Sequence, residues 1–132
     1  MRYDQTFRRI KDVLPQARHT TWLETGGSIY VIYSRISDFP EHLRVANVNP
    51  KDWTFEDRGL LLKPEMTYEC ADFPVIVSKI GKTKKANGLR DPYAFVDKNK
   101  IYLFYSVCGE HGIGVARIAS IAVTSRKQSL LL

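Results

Sequence analysis

Beyond residue 15 the chain is built of short apolar runs separated by Gly, Pro, Asn and Asp. SIYVIYSR, KIYLFYSV and GIGVARI are rich in Val, Ile, Tyr and Phe, which predicts β-strands joined by tight turns. The run Ile101 to Tyr105 is apolar at every position, where a strand with one wet face would alternate, so it is expected between two covered faces. Only the start differs. Phe7, Ile10, Val13 and Leu14 recur at helical spacing between Asp4, a candidate cap, and Pro15, which predicts a short N-terminal helix.

A repeat organises the strands. Shifted by 72 residues, the offset between Tyr30 and Tyr102, RHTTWLETGGSIYVIYS lies on RDPYAFVDKNKIYLFYS without a gap, with five identities in seventeen positions. Gly26-Gly27 stands over Lys98-Asn99 as the turn between strands. Past the hairpin, Val45-Ala46-Asn47-Val48 lies over Val115-Ala116-Arg117-Ile118. Each unit reads as strand, turn, strand, loop, strand, and the first adds a fourth strand from Gly59 to Leu62 that ends before Pro64. The chain forms a single domain over 1–132, with one blade-like repeat at 18–64 and a second at 65–123. The expected fold is mainly β, made of antiparallel β-propeller blades.

The repeat also organises the candidate chemistry. Arg90 and Asp91 head the first strand of the second unit, as Arg18 and His19 head that of the first. The following loops carry Arg35, Asp38 and Glu41 in one unit and Glu110 and His111 in the other, and Glu69 precedes Arg90. In blade geometry these segments open on one face, where carboxylates, arginines and histidines would gather.

The segment from Tyr68 to Ala116, YECADFPVIVSKIGKTKKANGLRDPYAFVDKNKIYLFYSVCGEHGIGVA, resembles the five-bladed β-propeller glycosidases, the superfamily of arabinanases, xylosidases and fructosidases. The likeness rests on Arg90-Asp91-Pro92 leading into an inner strand, on IYLFYS followed by a Gly-Glu-x-Gly-Ile-Gly-x-Ala run, and on Glu69. It implies an incomplete propeller of about two blades that acts on or binds carbohydrate. Catalysis in that superfamily uses one acid to protonate the leaving oxygen and another carboxylate to attack or activate water. The resemblance implies Asp91, Glu69 and Glu110 as catalytic carboxylates, with Arg90 holding Asp91. It implies Arg18, His19, Arg35, Asp38 and Arg90 as sugar contacts. The order differs from the fructosidase-like pattern, because Glu69-Cys70 here comes before Arg-Asp-Pro. The alternative is a binding or assembly module without catalysis.

Charge and cysteine usage narrow the classes. Net charge is +6, concentrated in Arg8, Arg9 and Lys11 and in SKIGKTKKANG. No aromatic platform interleaves with that loop, which argues against a nucleic acid partner. No apolar run reaches membrane-spanning length, and MRYDQTFRRI lacks a secretory apolar core, so a cytoplasmic protein is expected. Cys70 and Cys108 have no metal-binding spacing and read as buried or free thiols, and the three histidines have none either, so no metal or other cofactor is expected. Two blades leave unpaired strand edges, so a homo-oligomer or a partner chain is expected to close them, with Ile118 to Val123 and the SLLL tail as contact surface.

Overall fold

The structure is a computed structural model that describes residues 11–77 and 84–121. Among these described residues, seven strands form two antiparallel sheets. β1 (Ala17–Thr25), β2 (Ser28–Arg35), β3 (Leu43–Asn49) and β4 (Thr54–Leu62) lie side by side in chain order, and so do β5 (Arg90–Asp97), β6 (Lys100–Val107) and β7 (Gly112–Ile118). A 3-10 turn, Thr67–Glu69, sits between the sheets in sequence. No ring of blades closes among the described residues.

The repeat offset reproduces the strand pairing. Arg18 faces Ser34 and Thr21 faces Ile32 across β1 and β2, while Arg90 faces Ser106 and Tyr93 faces Phe104 across β5 and β6. Ile32 pairs with Val45 as Phe104 pairs with Val115. The hairpin turns match in conformation: Gly26 and Gly27 have φ of 57° and 74°, Lys98 and Asn99 of 45° and 65°. Positive φ at both central residues gives the turn the twist that antiparallel strands need.

The core lies between the sheets. Leu23, Tyr30, Ile32, Leu43 and Val45 of the first sheet meet Ile101, Leu103, Tyr105 and Ile118 of the second. β5 packs against both β1 and β2, and the Ala94 amide donates to Thr21 Oγ1 across the join at 3.1 Å. A second cluster, Val31, Tyr33, Ala46 and Val48, is buried on the far face of the first sheet, with Leu14, Ala17, Ile29 and Phe55 packed against it.

Three expectations change. The expected helix falls mostly on residues 4–10, outside the described residues, and its described end, Lys11–Leu14, is not helical. Leu14 has φ of 48° and Gln16 of 62°; the ring of Pro15 keeps the residue before it out of the right-handed helix. Cys70 and Cys108 are joined in a disulfide rather than held as thiols. At a separation of 38 residues no local spacing marks the pair. Ile118 is a core residue, not contact surface, and residues 122–132, which hold the SLLL tail, lie outside the described residues.

The disulfide ties the segment before β5 to the end of β6. Closing a loop of 38 residues restricts the unfolded chain by about 4 kcal/mol in the chain-entropy account. Replacing both cysteines by alanine is therefore expected to lower the urea-unfolding free energy by about 2 to 4 kcal/mol, with the sheet content in circular dichroism retained; an unchanged midpoint would mean that the bond does not form.

Candidate functional site

The starts of β1 and β5 carry the same irregularity. Each strand has a bulge two residues long, between Arg18 and Thr21 and between Arg90 and Tyr93. The residue after each arginine is left-handed: φ is 50° at His19 and 51° at Asp91. Such a backbone strains a residue with a Cβ, and a bulge re-aims the side chain it carries. Here it brings His19 and Asp91 together. His19 Nδ1 lies 2.6 Å from Asp91 Oδ1, and Ser106 Oγ donates to Asp91 Oδ2 at 2.8 Å. Both members of the pair are open to solvent, at 41% and 36% side-chain exposure.

Beneath this pair lies a buried ionic cluster centred on Glu41. Its carboxylate accepts from Arg18 Nε at 2.9 Å and Arg18 Nη2 at 2.5 Å, and it sits 3.2 Å from Arg90 Nη2. Arg90 Nη1 reaches on to Glu110 Oε1 at 2.8 Å. The Glu41 carbonyl also accepts the Leu89 amide at 2.9 Å, one residue before β5. Its hydrogen bonds to Glu41 hold the Arg18 guanidinium above its ordinary pKa, against the opposing effect of burial. Arg18 and Arg90, equivalent in the repeat, thus share one acid from the loop between β2 and β3.

The other expected site residues lie in two further networks. Arg35 pairs with Asp57 at 2.8 Å. Asp38 lies 3.3 Å from both Arg44 and His42, and Arg44 returns to Asp57 at 2.9 Å. Burial pushes the Asp57 carboxyl up, but bonds from Arg44, the Gly59 amide and Tyr33 outweigh it and hold the carboxyl below its usual range. Glu69 is buried beside the disulfide. It accepts from the Glu65 and Met66 amides at 2.8 and 3.0 Å and from the Tyr105 hydroxyl at 2.7 Å. Burial, and then this hydrogen bond, push the Tyr105 phenol well above its ordinary pKa. Gly114 makes room for that phenol, since a Cβ there would stand 2.7 Å from the Tyr105 ring.

The structure therefore brings together Arg18, His19, Arg90, Asp91 and Glu110, and sets Arg35 with Asp38, and Glu69, in separate networks. Arg90 faces Glu41 and Glu110, while His19 and Ser106 hold Asp91. Glu41, the residue that joins the arginines, was expected only as part of the polar loop. No local signal marks it, because the contact bridges the two units and has no counterpart in the repeat. A separate open cleft of about 450 Å³, lined by Gly27, Asn47, Asn49, Thr54 and Glu56 among others, lies at the opposite end of the first sheet. No group of His, Cys, Asp and Glu among the described residues is arranged to hold a metal ion.

One curated protein similar to this chain is the uncharacterized protein R118 of Acanthamoeba polyphaga mimivirus, 39% identical over 107 residues, which cover 76% of this chain and 30% of that protein. The chain spans under a third of the length of this relative. No family model matches the chain, and no solved structure does.

Two outcomes are expected. Glu41→Gln leaves Arg90 buried beside a neutral partner and should cost about 3 to 5 kcal/mol in urea unfolding, while Glu110→Gln, at the solvent-facing end, should cost about 1 kcal/mol or less; equal costs would remove Glu41 from the centre of the cluster. Because the Asp57 carboxyl is held below its unfolded value of 3.8, its contribution to stability is present above about pH 4 and is lost as pH falls through the folded value. Asp57→Asn should accordingly flatten the acid limb of stability against pH, measured by thermal unfolding.

Proposed function

We propose that the chain is a carbohydrate-binding protein of the glycosidase-like β-propeller kind, with its two sheets as two blades and the exposed His19–Asp91 pair as the sugar contact. The observation that carries the reading is the pair of repeat-equivalent bulges. They put two strained, polar, non-glycine residues at the heads of neighbouring first strands and join them in the open. Backbone strain of this kind costs about 1 to 3 kcal/mol per residue and concentrates where a side chain must be aimed. With Nδ1–H donated to Asp91, the imidazole of His19 presents Nε2 as an acceptor, and Asp91 keeps lone pairs beyond its two bonds. Adjacent acceptors of this kind suit the neighbouring hydroxyls of a sugar.

Binding without turnover is the favoured form of the reading. Hydrolysis of a glycosidic bond needs two carboxyl groups poised about the same bond. Glu69 is buried and accepts three hydrogen bonds, and Glu110 is paired with Arg90. Asp91 is the remaining carboxylate of the three. As to surroundings, no helix among the described residues is long and apolar enough to cross a membrane. The Cys70–Cys108 bond favours a compartment where disulfides persist, and it weighs against the cytoplasmic expectation.

The test is titration calorimetry with arabino-, xylo- and fructo-oligosaccharides, with aryl glycosides assayed alongside. Saturable binding to one series is expected, without release of the aryl group. Asp91→Asn and His19→Asn keep a residue that tolerates the left-handed backbone, and each should weaken binding by about tenfold or more. Binding that survives both substitutions, or none to any series, would overturn the reading.

A further inference from the structure

The two sheets differ by one strand. In the first, β3 lies between β2 and β4. In the second, β7, the equivalent of β3 in the repeat, pairs with β6 and has no further partner among the described residues. An outer strand presents a row of unpaired N–H and C=O groups, and natural edges are blunted by charge, bulges or proline. β4 is blunted in this way: it carries Glu56, Asp57 and Arg58, and its pairing with β3 is shifted at two points. β7 is not. Its sequence, GIGVARI, holds a single charge and no proline, and it pairs with β6 without a shift. The inner strand β3, LRVANVN, likewise holds a single charge and pairs with β2 without a shift. β7 thus has the make-up of an inner strand and the place of an outer one.

The repeat names a segment that fits this edge. A shift of 70 residues, the offset between Val45 and Val115, also lays β4, TFEDRGLLL, over residues 124–132, TSRKQSLLL, without a gap. Thr54 meets Thr124, and Leu60, Leu61 and Leu62 meet Leu130, Leu131 and Leu132. The charges fall in the same place with opposite sign, since Arg126 and Lys127 stand where β4 has Glu56 and Asp57. The connection keeps its length, because Pro50–Trp53 maps onto residues 120–123. Ile121, just past β7, packs against the core cluster, so the chain is still at the sheet where that connection falls. We propose that the free edge of β7 is the docking edge for residues 124–132 of the same chain, added antiparallel as the outer strand of the second sheet. The register follows from β3 and β4. Val48 faces Phe55, Asn47 faces Glu56 and Ala46 faces Asp57, so Ile118 faces Ser125, Arg117 faces Arg126 and Ala116 faces Lys127. Two details differ from the first unit. Ser129 replaces Gly59, whose φ is 88° where β4 bulges, so the carried-over register is confined to the stretch before that point. Arg117 and Arg126 are like charges set opposite one another, which weakens a cross-strand pair. The same residues of a second copy compete at a disadvantage, because a short connection gives the segment of the same chain the higher effective concentration.

Nuclear magnetic resonance on the isotope-labelled 132-residue chain tests this directly. Cross-strand contacts are expected between Ile118 and Ser125 and between Ala116 and Lys127, together with slow hydrogen exchange at the β7 amides that do not bond to β6. No contact between residues 124–132 and β7, or exchange at those amides as fast as at an open edge, overturns the proposal. A mixture of labelled and unlabelled chains separates the two occupants, and contacts that run between chains overturn it as well. Lys127→Pro breaks the added strand and should abolish the protection of the same amides while leaving those between β2 and β3 unchanged. Arg126→Glu restores the acid that Glu56 supplies in the first unit and sets it opposite Arg117, so it should slow their exchange further; unchanged or faster exchange overturns the register. The inference does not rest on the sugar reading, because His19 and Asp91 lie at the heads of β1 and β5 and not on the edge of β7.

Discussion

The join between the two sheets depends at one end on a single buried carboxylate. Glu41 comes from the loop after β2, yet it holds Arg18 at the head of β1 and Arg90 at the head of β5, and its carbonyl holds the amide of Leu89. An unpaired charge at that depth would cost several kcal/mol, so the three residues are fixed together or not at all. Hydrophobic contact could slide the sheets over one another at small cost. The buried contact between Arg90 and the Glu41 carboxylate resists sliding, because parting the two would leave an uncompensated charge in the interior. The apolar core supplies the driving force for stacking, and Glu41 supplies the register. The Cys70–Cys108 bond fixes a different part of the second sheet, where Tyr105 and Glu69 meet.

That division explains what could be read from the sequence. The hairpins, their turns and the relation between the units were legible because each is local: alternation, a two-residue polar turn, and an offset that keeps every cross-strand neighbour in step. The clustering of Arg18, His19, Arg90, Asp91 and Glu110 was legible because equivalent positions in a repeat occupy equivalent places. Contacts that bridge the units without repeating were not. Glu41 has no counterpart bonded to both arginines. The cysteines are far apart in the chain and become neighbours only when the 3-10 turn around Tyr68 folds back on the end of β6. Arg35 and Asp38 lie at the same end of the sheet but in another network, because their side chains meet Asp57, and Arg44 and His42, instead.

Stacking in one direction has a further consequence. If the two sheets met through identical faces, the pair would be closed and both outer faces could be polar. They meet through unlike faces instead, so the pair keeps one face of each type at its ends. Sheets built this way can in principle be added without limit, which is how propellers accumulate blades and how fibres form. On the first sheet the end face is itself buried: Val31, Tyr33, Ala46 and Val48 are all buried, and Leu14, just before β1, packs against them. Leu14 and Gln16 both have a left-handed backbone.

The strained residues at the two bulges belong to the same logic. A bulge at the head of a first strand would be tolerated most cheaply with glycine at the left-handed position. The chain places histidine in one unit and aspartate in the other, and the two side chains then meet across the join that Glu41 fixes. Neither residue makes this pair within its own sheet; it exists only while the sheets are in register. The exposed pair is therefore a readout of the buried one. Asp91 follows Arg90 directly in the chain, so the geometry of the exposed pair is tied to the hold of Glu41 on Arg90.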